Sequence, residues 1–159
     1  MFEKYGEFDS AEEINKAAEE KLAKGDTEAV IGIAIENGID KEDAEDFIDG
    51  AVGELATPLM AALGKIAVEE QDLKPYEIME DWVSYIKMQC QDNPKMCLAV
   101  RRKGKSLKGC IAALLKWSLK NQYQVPQDIL KECHISYKCT LGIPGMKRAR
   151  DIIQEYYMK

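Results

Sequence analysis

The sequence predicts an all-α protein, a compact bundle of about seven to nine helices with at most a minor hairpin near residues 134–143. Three observations carry this. Apolar residues recur at helical spacing in nearly every segment, start and stop signals bracket those segments, and only the piece HISYKCTLGI at 134–143 has the alternation and β-branched content of a strand. A lone strand makes no sheet, so that piece reads equally as an extended loop or a small hairpin. The clearest helix lies within residues 105–122. Leu107, Cys110, Ile111, Leu114 and Leu115 form one apolar stripe, Lys108, Lys116 and Lys120 stand on the opposite face, and Ser106 is the N-cap. Trp117 falls at the edge of the stripe, where an indole packs its ring and still offers its N–H.

The other elements follow in order. Ser10 and Glu13 form a capping box ahead of a helix that stops at Gly25, and Asp26 or Thr27 caps a second helix with Val30, Ile31, Ile33, Ala34 and Ile35 as its apolar face, ended by Asn37 and Gly38. Asp40 opens a third, whose only large apolar residues are Phe47 and Ile48. From Val52 to Val68 the residues Leu55, Leu59, Met60, Ala62, Leu63 and Ile66 predict a strongly apolar helix, with Pro58 either kinking it or marking its first turn. Pro75 opens a helix to about Gln91 that carries Ile78, Met79, Trp82, Tyr85 and Ile86. Asn93 and Pro94 start a short segment, Met96 to Arg101, as cap and first helical residue. Beyond residue 122, a short helix runs from Gln127 to about Cys133, and Gly142, Pro144 and Gly145 precede a final helix from Met146 to Met158.

A chain of 159 residues fits one domain, and 46% hydrophobic with 31% charged residues excludes disorder throughout. The longest uncharged apolar run, residues 55–64, is far short of the roughly 20 residues that span a bilayer. The start, MFEKYGEFDS, lacks the basic region and apolar core of a signal peptide, so no membrane and a cytoplasmic location are expected. Five cysteines without a CxxC pair are expected to be reduced and mostly buried. Cys133, His134 and Cys139 are the one place where thiols meet the sole histidine, and zinc there would need a fourth ligand from elsewhere. No metal and no cofactor are expected.

Charge is the most informative property. Residues 1–92 hold 24 acidic and 8 basic side chains, a balance of −16, whereas residues 93–159 hold 4 acidic and 14 basic, a balance of +10. The expected organisation is an acidic helical half at 1–73 and a basic helical half at 74–159, docked as one unit. Asp40, Glu42, Asp43, Glu45, Asp46 and Asp49 concentrate the negative charge. They do not form a calcium loop, because Glu45 and Ala51 occupy the positions where an EF-hand needs glycine and glutamate. They are the candidate partner-binding surface, a patch able to occupy a groove built for nucleic acid. Arg101, Arg102, Lys103, Lys105, Lys108, Lys116 and Trp117 are the candidate surface for nucleic acid or for an acidic partner. The basic segment also reads as a plain solvated face, or as one that meets the chain's own acidic half.

Catalytic chemistry finds little support. Residues 99–106, AVRRKGKS, fit a loose phosphate-binding loop with alanine in place of its first glycine, but the bulky interior is wrong for turning backbone amides onto phosphates, and no second acidic strand supplies magnesium. A nucleophile would have to rely on His134, and no serine or cysteine stands in a recognisable elbow. The expectation is a binding protein, not an enzyme.

The order of a helix near Glu80, then Asn93 and Pro94, then Lys105, Ser106 and Leu107 opening a helix, then Tyr156 and Tyr157, resembles the PcfK-like small proteins of conjugative elements and phages. The resemblance covers the second half of the chain. Some members of that family inhibit type II CRISPR nucleases. What it implies is a mobile-element protein that acts by binding in a bacterial host, with a type II CRISPR nuclease as the protein partner. It carries no site residues across.

Overall fold

Local start signals account for most of the helix boundaries. The computed structural model describes residues 2–159 and, among them, contains nine helices and one two-stranded antiparallel sheet, so the all-α expectation holds. Helix α1 (Ala11–Ala23) begins where Ser10 Oγ accepts the Glu13 amide at 3.2 Å, while the Glu13 carboxylate reaches back to the Asp9 amide at 2.8 Å. Asp26 caps α2 (Thr27–Glu36) by accepting the Ala29 amide. Helix α3 (Lys41–Ile48) buries only Ala44 and Phe47. Pro58 is the first residue of α4 (Pro58–Leu73) behind the cap Thr57, so it marks a first turn and causes no kink. Residues 52–57 are therefore not helical. Leu55 and Ala56 enter the core as irregular chain, with the Asn15 carboxamide satisfying both the amide and the carbonyl of Ala56 at 2.8 and 2.9 Å.

Helix α5 (Ile78–Asp92) starts three residues after Pro75, because Lys74 and Glu77 both hold left-handed backbone, at φ 46° and 54°. Helix α6 (Pro94–Arg101) has Asn93 as its cap, and α7 (Leu107–Lys120) has Ser106, whose Oγ accepts the Gly109 amide at 3.0 Å. Strand β1 (Tyr123–Gln124), α8 (Gln127–Glu132), β2 (Thr140–Leu141) and α9 (Met146–Met158) complete the chain. The strand-like piece at 134–143 does supply β2. Its partner β1 lies before α8, however, with Tyr123 opposite Leu141, so the pairing closes a wide loop around α8 and is not a local hairpin.

His134 has a structural task that its sequence does not announce. At φ 55° it is the left-handed residue after α8: its amide bonds to the Lys131 carbonyl at 3.0 Å, and the Ile135 amide bonds to the Leu130 carbonyl at 2.8 Å. This is the double bond of a Schellman cap, which ordinarily uses glycine. Because a side chain in this conformation costs about 1–2 kcal/mol, His134→Gly is expected to stabilise the protein by up to about 1 kcal/mol. Thermal melts check it, and a lower midpoint would show that the imidazole makes up for the strain.

Two apolar cores share α4. Ile14, Val30, Ile33, Phe47 and Leu55 centre the first, and Ile66, Trp82, Ile86, Met96, Leu107, Leu114, Ile153 and Tyr157 the second. Ala61 belongs to the first and Ala62 to the second, and α6 lies along α4, so the second core begins inside the acidic half, ahead of residue 74. Cys90, Cys97 and Cys110 are buried, and burial pushes the Cys90 and Cys110 thiols up to about 12. Cys133 is exposed and Cys139 half-buried, which corrects the expectation for those two.

Candidate interaction surfaces

The sequence placed its two charged surfaces on α3 and on the stretch from α6 to α7, and the structure treats them differently. On α3, Asp40, Glu42, Glu45, Asp46 and Asp49 are exposed and Asp43 is half-buried. Among the described residues only Glu45 of this set forms an ion pair, with Lys41 one turn before it at 2.7 Å. Asp40 occupies the cap position without using its side chain as a cap. Asp46 and Asp49 crowd the C-terminal end, where the helix dipole disfavours negative charge, and no basic residue offsets them in the last turn.

The basic stretch is partly consumed inside the fold. Arg101 is 1% exposed and cannot meet an external partner, which corrects its assignment to the contact surface. Its Nε donates to the Phe8 carbonyl at 3.0 Å, Nη1 to the Ala61 carbonyl at 3.3 Å and Nη2 to Asn37 Oδ1, while the Phe2 ring lies 5.5 Å from the guanidinium carbon. The Lys103 amide donates to Asp9 at 2.7 Å, and its ammonium lies 3.8 Å from Glu13. Lys105 donates to the Tyr156 carbonyl at 2.6 Å and sits over that ring. Arg102, Lys103, Lys108, Lys116 and Lys120 remain exposed, and Trp117 is half-buried under the Arg148 guanidinium. Leu115, assigned to the apolar stripe of α7, is 54% exposed.

Between these surfaces runs a buried polar seam that spacing did not reveal. Lys65 donates to Glu7 at 2.5 Å and to the Arg102 carbonyl at 2.9 Å, the Asn37 amide donates to the Ile33 carbonyl, and Glu69 accepts the Leu107 amide at 2.6 Å. The only sequence signal is Lys65 inside the apolar stretch of α4, since Glu69 stands among Glu70, Gln71 and Asp72. Burial raises the Glu69 carboxyl above the ordinary carboxylate range, outweighing the Leu107 amide and the Lys65 charge, which both lower it. A raised carboxyl means that the folded state holds a proton the unfolded state has released. This group therefore adds stability as pH falls through its folded value, and the gain is lost as pH rises. Relative to Glu69→Gln, the wild type is expected to gain stability as pH falls from neutral towards the ordinary carboxylate range. Urea melts of both proteins across that range test this, and a pH-independent difference would refute it.

Among the described residues no three His, Cys, Asp or Glu side chains converge as a metal site, and no helix is long and apolar enough to cross a membrane. The AVRRKGKS stretch is the end of one helix, a turn and the cap of the next; it is not a strand leading into a phosphate loop. A cavity next to it, about 370 Å³ lined by Glu69, Asp72, Leu73, Ser106 and Lys108, has an acidic wall that opposes a phosphate. Fold and surfaces together define an all-α protein with an exposed acidic face and an exposed basic face on different helices. Comparison of the sequence with protein-family models and curated proteins, and of the fold with solved structures, finds no match.

Proposed function

We propose that this is a non-enzymatic binding protein of a phage or mobile element whose acidic face, Asp40 to Asp49, occupies a nucleic-acid-handling surface of a protein partner. The placement of Asp46 and Asp49 carries the reading. Two unpaired carboxylates at the wrong end of a helix cost stability, about 0.3–1 kcal/mol each, so the fold alone gives no reason for them. The resemblance to PcfK-like proteins directs the test to type II CRISPR nucleases, with an anti-CRISPR role as the specific form. The alternative is a nucleic-acid-binding accessory protein that uses the basic residues of 101–120. It is supported by exposed Arg102, Lys103, Lys108, Lys116 and Lys120, and weakened by the internal engagement of Arg101 and Lys105.

Two charge reversals separate these readings. Changing Asp43, Glu45, Asp46 and Asp49 to lysine is expected to weaken capture of a type II CRISPR nuclease, with or without guide RNA, by about 100-fold or more, because like charges then face one another across the interface. Changing Arg102, Lys108 and Lys116 to glutamate is expected to matter less. The opposite ranking, together with tight binding to bare DNA or RNA that weakens by about 10³ between about 50 and 200 mM salt, would move the working surface to the basic helix.

A further inference from the structure

The sheet and its flanking helix ends expose a cluster of large apolar side chains. Leu115 and Leu119 follow each other on one face of α7, Tyr123 and Leu141 are a cross-strand pair, and Ile143 and Met146 lead into α9; all six are exposed, Leu119 at 68%. These elements are neighbours in space. Thr140 Oγ1 donates to Gln122 at 3.0 Å, Gly142 packs so closely on Ser118 and Gln122 that a Cβ would meet the Ser118 carbonyl at 2.5 Å, and Arg148 of α9 lies over Trp117 of α7. Lys116, Lys120 and Lys147 are exposed next in sequence to Leu115, Leu119 and Met146, and Arg148 is exposed over Trp117. It is an apolar ridge with a cationic rim.

The opposite character appears where α2 and α3 meet α4. Two adjoining hollows there, of about 340 and 260 Å³, are lined by Ile35, Ile39, Leu63, Ala67 and Gln71 and edged by Asp40, Asp43 and Lys41, the last already paired with Glu45. This is an apolar groove with an anionic rim. Ile35 at its edge is 57% exposed. Ridge and groove lie on different elements and both stand open in the folded chain, so neither covers the other within one molecule.

We infer that the basic ridge of one copy docks into the acidic groove of a second copy. Exposed apolar clusters of this kind mark association sites, and the opposite rims select each other and repel like surfaces, which excludes a ridge-to-ridge dimer. The contact is head to tail: each copy uses a different surface, and growth continues until a ring closes. Self-association covers Asp40 and Asp43, so it competes with any partner held by the acidic face. The inference does not depend on what that partner is.

Sedimentation of the intact chain, with two surface variants, tests it. The wild type is expected to show a mass above the 17.9 kDa monomer that rises with concentration at about 0.1 M salt and falls at about 1 M, where the Debye length shrinks from about 10 to about 3 Å. A groove variant, Ile35→Lys with Asp43→Lys, and a ridge variant, Leu119→Glu with Lys120→Glu, change only exposed or half-buried positions, and circular dichroism verifies that both fold. Each alone is expected to be monomeric. Mixed in equal amounts, they are expected to form a 1:1 dimer that grows no further, because the groove variant keeps an intact ridge and the ridge variant an intact groove. A monomeric wild type at all concentrations, self-association of either variant alone, or a mixture that stays monomeric overturns the inference. A wild type that stays monomeric while its ridge binds a single-stranded oligonucleotide overturns it in favour of nucleic acid.

Discussion

Arg101→Ala is expected to destabilise the protein by about 3–5 kcal/mol, among the largest effects of any single side-chain truncation in this chain. The guanidinium joins elements far apart in sequence: the Phe8 carbonyl before α1, Asn37 at the end of α2 and the Ala61 carbonyl in α4 all accept from it. Burial lowers its pKa to about 10 against the raising influence of Glu7, Glu69, Glu13 and Asp9, so the group stays charged at neutral pH. Truncation strips a donor from three acceptors, two of them in buried contacts, and leaves a void the size of the side chain. Arg101→Met separates these losses, since it refills most of the volume and restores none of the hydrogen bonds. Arg101→Lys keeps the charge but lacks the planar fork that reaches three acceptors in different directions. Urea denaturation should rank the variants wild type, then methionine and lysine, then alanine. An alanine variant within about 1 kcal/mol of the wild type would show that the seam does not hold the two cores together.

What the sequence made legible follows the range over which each signal acts. Caps and prolines operate over three or four residues, and Ser10, Asp26, Asn93 and Ser106 all cap the helices they stand before. Pro58 left two readings open, because whether a proline begins a helix or kinks one depends on where the preceding chain packs. Leu55 and Ala56 pack in the first core, which settles it. The late start of α5 was hidden because left-handed backbone at Lys74 and Glu77 has no glycine to advertise it. Arg101 marks the limit for the candidate surfaces. In sequence it is one of eight cations between Asp92 and Asp128, chemically equal to Arg102 beside it. Only its acceptors, 40 to 93 residues away along the chain, decide that one points inward and the other outward. Leu115 failed for a similar reason, since helical spacing fixes which residues share a face but not how wide a strip the neighbouring helices cover. The acidic face was readable because α3 is short and has so little to bury.

Gly64→Ala is the sharper test of how the first core is closed, because intrinsic propensity and packing predict opposite signs. Gly64 lies inside α4, where replacing glycine with alanine ordinarily stabilises a helix by about 1 kcal/mol. A Cβ there would sit 2.3 Å from the Asn37 carbonyl oxygen, and a Cβ on Gly38 would sit 2.2 Å from the Gly64 carbonyl oxygen. The opposing atoms are backbone, so no rotamer change relieves either clash; α2 and α4 must move apart. Moving them draws Asn37 off the Arg101 guanidinium, which couples the glycine contact to the buried seam. The expected result is a net loss of about 2–4 kcal/mol for Gly64→Ala despite the gain in propensity. Gly38→Ala is expected to lose more, because its φ of 70° adds left-handed strain of about 1–2 kcal/mol. Gly25→Ala is the control, at φ 73° with nothing within 4 Å of the added Cβ, and it is expected to show the strain alone. Urea melts that place Gly38→Ala level with Gly25→Ala, or Gly64→Ala at or above the wild type, would mean that the two helices separate at little cost and that their close approach is not what fixes the end of α2 onto α4.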